Sequence, residues 1–440
     1  MRRRTVSAAT APTRSRWSAL ATILGVGVIA AAGTGCGLQA EAAGRPAARR
    51  TAARAGLSVG DLTGAADDLA AAIRPTTAAA AGAAVSSRPK PHAPATPPDR
   101  PALRAGWQAG VNLTSDLADD FLAPGSDDAL RAARADGSTS VEIVPTWYMS
   151  SATASSVAAD PTRTPPDAAV EHAVATAQSL GLQVLLKPQV DVLDGTYRGL
   201  IAPADRQAWF TSYRAMLTHY ATLARQLRVG GLVVGVELGS MVSGPRDTTL
   251  WRAMIRSVRQ LGYKGSLTYA ANWDQLHLVG FWRALDYIGI DAYFPLIPRR
   301  HQYSPTIADL VSAWHGSYVT GGPVDWVNEV TQLERVERRP VVFTELGYVA
   351  TACTAAAPYA VVPTCASAAG PTVASRRAQQ DAYVAALRVW SRVSFVRGIY
   401  WWDWPTDDNE ITDAYSPRGK PAEQTIAEWN ATRGTLTAKR

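Results

Sequence analysis

The chain has 440 residues, of which 47% are hydrophobic, and this is enough for one large folded core. Its net charge of +7 comes from the leading part, because residues 1–104 contain 14 Lys and Arg against 5 Asp and Glu, while the remainder contains 30 against 32. The remainder also holds nearly all of the Trp and Tyr residues. A near-neutral, aromatic domain is poorly suited to phosphate backbones, so the composition excludes a nucleic-acid partner and favours ligands with neutral rings.

The N-terminus has the pattern of an export signal. Five arginines within the first 16 residues precede an apolar run over 19–32 that is short for a membrane span. The run ends in Gly33-Thr34-Gly35-Cys36, which resembles a bacterial lipoprotein signal with Gly33 in place of the usual Leu. We expect residues 1–36 to be a signal peptide and Cys36 to carry a lipid that anchors the protein at the outer face of the cytoplasmic membrane. Ordinary signal cleavage, followed by secretion, is the alternative.

Residues 37–104 are rich in Ala and end in a proline-dense stretch, RPKPHAPATPPDRP. Such a composition buries too little apolar surface to offset the entropy lost when the chain becomes ordered. We therefore predict a flexible tether between the signal peptide and the folded domain.

From residue 105 onward, apolar β-type runs alternate with helical patterns, as in a parallel sheet built from βα units. Eight strands are predicted, at 109–113, 139–144, 183–188, 231–236, 266–270, 286–290, 340–344 and 396–402. The clearest helices are 204–227 and 247–261, each with an apolar stripe at helical spacing.

Eight strand-helix units within residues 105–431, followed by a tail over 432–440, predict an α/β fold, the (β/α)8 TIM barrel. The alternative is an open doubly wound sheet. That fold normally carries a glycine-rich phosphate turn after its first strand, and the corresponding NLTSDLADD has no such turn.

Glu237 and Glu345 directly follow the fourth and seventh predicted strands, in GLVVGVELGS and RPVVFTELGY. The active site of a barrel lies at these strand ends, and a carboxylate placed there is costly unless it faces a wet or functional cleft. Either residue alone could be a structural ion-pair partner, as we expect for the mid-strand Glu142. Together they lie on opposite sides of the barrel mouth. Glycoside hydrolysis needs two carboxyl groups flanking one bond, so the pair predicts a glycoside hydrolase.

Other strand ends supply candidate substrate-binding residues, any of which could instead be structural. Trp402 and Trp404 stand at the end of the eighth strand on the face opposite Trp401, and Trp402 is the expected platform beneath a sugar ring. Tyr293, beyond the sixth strand, could donate a hydrogen bond to Glu345. The remaining candidates lie beyond the second, third, fifth and sixth strands: Trp147, Tyr148, Lys187, Asp191, Arg198, Asn272 and Asp291.

Several stretches along the barrel are distinctive in combination: KPQVDVLDGTYRG, GVELGS, YAANWDQ, FWRALDYIGIDAYFPL, FTELGY, GIYWWDW and YSPRGKPA. Together they resemble glycoside hydrolase family 113, whose known members are β-mannanases. The resemblance implies a retaining endo-β-1,4-mannanase in which Glu345 is the nucleophile and Glu237 the acid/base. Many relatives in this clan carry Asn before the acid/base to contact the sugar 2-hydroxyl. Val236 stands there in this chain, which makes Asn272 the candidate for that contact.

Two other functions remain open at this stage. The first is a β-glucanase or an exo-glycosidase on the same scaffold. The second is a non-catalytic carbohydrate-binding lipoprotein, although such a protein would need neither glutamate. Every one of these readings has a polysaccharide or oligosaccharide as the ligand.

The cysteines and histidines indicate a disulfide rather than a metal site. Cys353 and Cys365 are close neighbours in a late loop, and an exported chain meets an oxidising compartment, so we predict a bond between them. The six His and three Cys show no ligand-type spacing. We therefore expect neither a metal nor a cofactor.

Overall fold

The computed structural model describes residues 106–298, 305–316, 324–360, 372–406 and 415–437. The predicted signal peptide and tether, together with Cys36 and Cys365, lie outside these residues. None of the helices in the described ranges is long and apolar enough to cross a membrane.

The described part of the chain forms a closed barrel. Its strands are β1 (Gln108–Thr114), β2 (Ser140–Val144), β3 (Thr146–Met149), β4 (Gln183–Leu186), β5 (Gln189–Val192), β6 (Gly231–Val236), β7 (Ser266–Asn272), β8 (Ile288–Asp291), β9 (Val341–Leu346) and β10 (Val396–Pro405). Eight of them pair in parallel around the ring, in the order β1-β10-β9-β8-β7-β6-β4-β2. Each coincides with one of the predicted strands, so the (β/α)8 barrel is confirmed.

Two short strands that the sequence did not predict extend the barrel at its mouth. β3 and β5 form a separate two-stranded parallel sheet and begin shortly after the barrel strands β2 and β4 end. Their pairing places Tyr148 beside Asp191 in register. Each strand has only four residues, which is too short for an alternation of apolar and polar side chains to be recognised.

Helices cover the outside of the barrel: α1 (Pro124–Ala135), α2 (Asp167–Ser179), α3 (Arg206–Gln226), α4 (Pro245–Gln260), α5 (Ile307–Ala313), α6 (Trp326–Glu337), α7 (Val373–Trp390) and α8 (Pro421–Thr437). α3 and α4 correspond to the predicted helices at 204–227 and 247–261. The chain end differs from the prediction, because α8 continues through Thr437 where a tail was expected from residue 432.

In α3 the apolar stripe predicted from the sequence is the face that packs on the barrel. Asp205 caps the helix by accepting a hydrogen bond from the Ala208 N–H at 2.9 Å, an interaction worth about 1 kcal/mol. The predicted apolar stripe is buried against the barrel, at Phe210, Tyr213, Leu217, Tyr220 and Ala224. Burying a large side chain of this kind contributes about 1.5–3 kcal/mol, so the stripe fixes the helix on the barrel.

A close approach between β1 and β10 closes the ring. Gly110 pairs in register with Tyr400, and a Cβ atom at Gly110 would lie 2.1 Å from the tyrosine ring. Only glycine leaves room for that ring, whose hydroxyl donates to Gln108 Oε1 at 2.7 Å. Tyr400 then packs with Leu185, Tyr287 and Val342 in an apolar cluster.

Candidate active site

Glu237 lies directly after β6 in a backbone conformation that glutamate rarely adopts. Its φ is 52°, in the left-handed region, where a non-glycine residue costs about 1–3 kcal/mol. Arg228 and Arg338 also have positive φ, but they follow helices, where left-handed caps are common. Glu237 instead follows a strand, and its N–H donates to the Ala270 carbonyl at 2.8 Å. Backbone strain at the strand end of a barrel points to a functional side chain.

Glu345 lies in β9, and both of its carboxylate oxygens accept hydrogen bonds. Lys187 Nζ donates to Oε1 at 2.5 Å, and the Tyr293 hydroxyl donates to Oε2 at 2.5 Å. The second of these is the hydrogen bond expected from the sequence. Donors on both oxygens fix the orientation of the carboxylate, which is what a preorganised nucleophile requires.

Lys187 is wholly buried among three carboxylates. Its Nζ lies 3.2 Å from Glu142 Oε2, 3.7 Å from Asp291 Oδ1 and 2.5 Å from Glu345 Oε1. Neither Lys187 nor Asp291 has exposed surface, so the sequence-based assignment of these two residues to substrate binding is wrong. Lys187 contacts Glu142 and Glu345 instead, and Asp291 accepts a hydrogen bond from the Thr344 hydroxyl at 2.8 Å. Glu142 has the structural role expected for it.

The three carboxyl groups around Lys187 differ in how readily they ionise. Burial raises the pKa of Glu142 to about 8. Burial, and then the Glu345 carboxylate, raise the pKa of Asp291 well above its usual range. One ammonium cannot balance three carboxylates in a dry interior. The raised pKa values of Glu142 and Asp291 favour their protonated forms, and Glu345 is the carboxylate nearest to the Lys187 ammonium.

The second glutamate has a different partner. Arg198 Nη1 donates to Glu237 Oε2 at 3.1 Å, and Arg198 Nε donates to Asp191 Oδ1 at 3.0 Å. Burial raises the pKa of Glu237 to about 7, with Arg198 opposing the rise and Glu345 adding to it. A carboxyl group with this pKa can both donate and accept a proton near neutral pH. The structure thus offers one carboxylate fixed by an ammonium and a hydroxyl, and one group suited to proton transfer.

Residues 116–419 match the family model for Glycoside Hydrolase Family 113. The chain belongs to this family. It is therefore a glycoside hydrolase of the retaining class.

Solved structures of the same family are similar to this family 113 enzyme over nearly their whole length. A GH113 β-mannanase from Alicyclobacillus acidocaldarius, in complex with ManMIm, is 24% identical with a TM-score of 0.64, and the match covers 76% of this chain and 99% of that one. A GH113 β-1,4-mannanase, also solved as a complex, is 25% identical with a TM-score of 0.62 over 74% and 99% of the two chains. No protein of curated function matches the sequence.

Trp402 of the family 113 enzyme lies beside the predicted nucleophile. Lys187 Nζ is 5.5 Å from the centre of its ring, and the ring packs in a cluster with Tyr293 and Tyr415. Trp402 stays partly exposed, as a stacking platform must. Its contact with a sugar remains a prediction.

Trp404 is not on the same face as Trp402, which corrects its assignment to substrate binding. Its side chain has no exposed surface, and its indole N–H donates to the Ala129 carbonyl of α1 at 2.8 Å. The reason is an irregularity in the pairing of β1 with β10. Val111 pairs with Trp401 and Leu113 with Trp404, so β10 has one extra residue here and the strict alternation of faces is lost.

Trp147 and Tyr148 point to opposite faces of β3. The Trp147 indole donates to the Tyr220 hydroxyl of α3 at 2.9 Å, so Trp147 packs against a helix while it stays partly exposed, and its contact with a substrate remains a prediction. Tyr148 lies on the other face, in register with Asp191 and 5.6 Å from the Arg163 guanidinium. Only Tyr148 of this pair is therefore placed near the Asp191–Arg198 ion pair.

Asn272 ends β7 at the level of the nucleophile. It pairs in register with Asp291, which pairs in turn with Glu345. Its amide donates to Asp274 Oδ1 at 2.9 Å. Val236, which precedes the expected acid/base, is buried in an apolar cluster with its strand neighbours. The position of Asn272 suits a contact with the sugar 2-hydroxyl, which remains a prediction.

Two features of the site were missed from the sequence. Trp273 stacks on Tyr359 with ring centres 5.6 Å apart and an angle of 21°, and it packs against the aromatic cluster beside Glu345. Asn112 donates through its amide to the Thr344 carbonyl at 3.0 Å, next to the nucleophile in sequence. The signals were present, since Trp273 follows Asn272 at a strand end and Asn112 is a polar residue inside an apolar strand.

The described residues also bear on the cysteine and metal predictions. Cys353, in the loop after β9, is disulfide-bonded. Its predicted partner, Cys365, lies outside the described residues. Within the ranges that the structure describes, no group of three or more His, Cys, Asp and Glu side chains could hold a metal ion.

Proposed function

We propose that this glycoside hydrolase is a retaining endo-β-1,4-mannanase. The observation that carries the proposal is its similarity to two β-1,4-mannanase structures of family 113, each 25% identical and covered over 99% of its length. A chain that spans those whole proteins and keeps a carboxyl pair at the ends of the fourth and seventh barrel strands is suited to the same reaction on the same class of polysaccharide.

The proposed mechanism gives the two glutamates distinct roles. Glu345 attacks the anomeric carbon while Glu237 protonates the glycosidic oxygen, so that the leaving sugar departs and a glycosyl ester remains on Glu345. Glu237 then takes a proton from water, which attacks the same carbon and frees the carboxylate. The two donors on Glu345 and the pKa of about 7 at Glu237 support this division. A retaining enzyme of this kind should hold the carboxyl groups about 5–5.5 Å apart.

Digestion of mannan, glucomannan, cellulose and xylan tests the proposed substrate. We expect mannan and glucomannan to yield a series of oligosaccharides, with viscosity falling early because an endo-acting enzyme cuts within chains. Release of a monosaccharide alone would indicate an exo-glycosidase. Cleavage of cellulose or xylan without cleavage of mannan would contradict the proposal. Binding to mannan without turnover would favour the carbohydrate-binding alternative.

We also propose, from the sequence alone, that a lipid on Cys36 holds the enzyme outside the cytoplasmic membrane. The support is the apolar run that ends at Gly35-Cys36. Cys36→Ala should move the protein from the detergent phase to the aqueous phase in a detergent-partitioning assay, or leave the precursor unprocessed. Unchanged partitioning of a processed Cys36→Ala protein would contradict the anchor.

A further inference from the structure

A cation lies against the acid/base, and this is not what the first chemical step alone would require. Arg198 Nη1 is 3.1 Å from Glu237 Oε2, and both side chains are largely buried. A neighbouring positive charge favours the ionised carboxylate, whereas Glu237 must carry a proton in order to protonate the leaving oxygen. The arrangement therefore limits how tightly Glu237 holds its proton.

The guanidinium of Arg198 is itself fixed from a second side. Its Nε donates to Asp191 Oδ1 at 3.0 Å and to the Val190 carbonyl at 3.1 Å, and its Nη2 also contacts Asp191. Asp191 and Val190 both belong to β5, the short strand that extends the barrel at its mouth. Groups of β5 thus orient the guanidinium that reaches Glu237, and the Asp191 carboxylate offsets part of its charge.

We propose that Asp191 and Arg198 form a positioning pair that balances Glu237 between its two tasks, as acid in the first step and as base in the second. The proposal rests on the proposed role of Glu237. Burial alone would favour the protonated acid, so that too little of Glu237 would be ionised to accept a proton from the attacking water. An unopposed arginine would favour the carboxylate, so that too little of Glu237 would carry the proton that the leaving oxygen needs. Asp191 reduces the second effect without removing it.

Other groups around Glu237 are held constant in the test that follows. The charged or ionisable side chains that interact with it are Lys187, Arg198, Asp274, Asp291 and Glu345. Three buried tyrosines nearby, Tyr197, Tyr269 and Tyr415, have pKa values raised well above their usual range by burial and stay neutral. Lys187 makes its short contact with Glu345 rather than with Glu237, so Arg198 is the cation whose removal tests the pair.

The test is the pH profile of kcat/KM on mannan, which reports ionisations of the free enzyme. Activity is lost as the pH rises through the pKa of Glu237, because the proton donor is then ionised. This loss is the alkaline limb of the profile. Arg198→Met removes a positive charge and should move the alkaline limb to higher pH by about 1–3 units. Asp191→Asn leaves the arginine unopposed and should move the limb downward. Arg198→Lys keeps a charge at this position and should return the limb toward that of the parent.

A matched ion pair on the outer surface provides the control. Arg377 and Asp381 pair at 2.9 Å on α7, and Arg377→Met and Asp381→Asn should leave the limb where it is in the parent. The positioning pair would be overturned if the alkaline limb shifted in the same direction in Arg198→Met and Asp191→Asn. It would also be overturned if both variants had lower activity with no shift of the limb.

A titration that does not depend on turnover covers the case in which Arg198→Met folds poorly. The carboxyl carbon of Glu237, labelled with 13C, can be titrated by NMR in Glu345→Gln protein with and without Asp191→Asn. We expect a lower midpoint with Asp191→Asn, and an unchanged midpoint would overturn the proposal. If the alkaline limb of the parent survives in Glu237→Gln, the proposed role of Glu237 fails instead, so the two failures are distinguishable.

Discussion

Glu345→Ala is expected to lower kcat on mannan by at least about a thousandfold, because it removes the atom that forms the covalent intermediate. The fold should survive. Lys187 loses its contact with Glu345 at 2.5 Å, but Glu142 at 3.2 Å and Asp291 at 3.7 Å can ionise in its place. Glu345→Gln keeps the shape of the side chain and should be equally inactive. Circular dichroism and the melting temperature check the fold of both proteins.

Azide separates the loss of a nucleophile from a general loss of structure. In Glu345→Ala the space of the carboxylate is vacant, and azide can attack the anomeric carbon from that side of a dinitrophenyl β-glycoside. The product should be a glycosyl azide of inverted configuration, with activity partly restored. Glu428→Ala, at an exposed position on α8, is the matched control and should keep full activity. Substantial activity of Glu345→Ala without azide would contradict the assignment.

The sequence predicted the barrel and its two glutamates because both depend on the order of residues along the chain. A buried parallel strand needs an unbroken apolar run, and eight such runs were readable. Glu237 and Glu345 directly follow two such runs at the barrel mouth, whereas Asp291 follows a third run and is wholly buried. The end of β6 was therefore enough to identify Glu237 from the sequence, and the last residues of β9 were enough to identify Glu345.

The substrate-binding set was harder because it depends on the direction of each side chain. Lys187 follows β4 as closely as Glu237 follows β6. The Lys187 side chain is nevertheless wholly buried, whereas the Glu237 side chain keeps some exposed surface. Trp404 was misassigned because an extra residue in β10 breaks the alternation on which the prediction depended. Trp147 and Tyr148 were assigned together because β3 was not recognised as a strand, in which they point to opposite faces. A shift of one residue turns a side chain to the other face, and composition does not reveal such shifts.

The positions of the polar groups also explain why two similar glutamates can have different roles. Glu345 is held by groups from inside the barrel, the Lys187 ammonium among them, whereas Glu237 is held by Arg198, which begins a short 3-10 helix after β5. The β3–β5 extension supplies the partner of Arg198 at Asp191. An extension that looks like a minor addition to the barrel therefore acts on the proton-transfer group through Arg198.

Glu237→Ala is expected to have an effect that depends on the leaving group. On mannan, whose leaving sugar needs a proton, kcat/KM should fall by about 10²–10⁴-fold. A dinitrophenyl β-glycoside leaves without protonation, so formation of the glycosyl ester on Glu345 should remain fast. Release of that ester should then be slow, because no base activates water. Rapid mixing should show a burst of dinitrophenolate equal to the enzyme concentration, followed by slow turnover.

Azide provides the last distinction, because its product differs between the two variants. In Glu237→Ala the azide occupies the side from which water attacks the ester, so it needs no base and should speed the second step. The glycosyl azide should have the configuration of the substrate, whereas Glu345→Ala should give the inverted one. The alkaline limb that reflects the Glu237 pKa of about 7 should also be missing from Glu237→Ala. The same azide configuration from both variants would contradict the assignment of acid/base and nucleophile, because each glutamate would then act from the same side of the sugar.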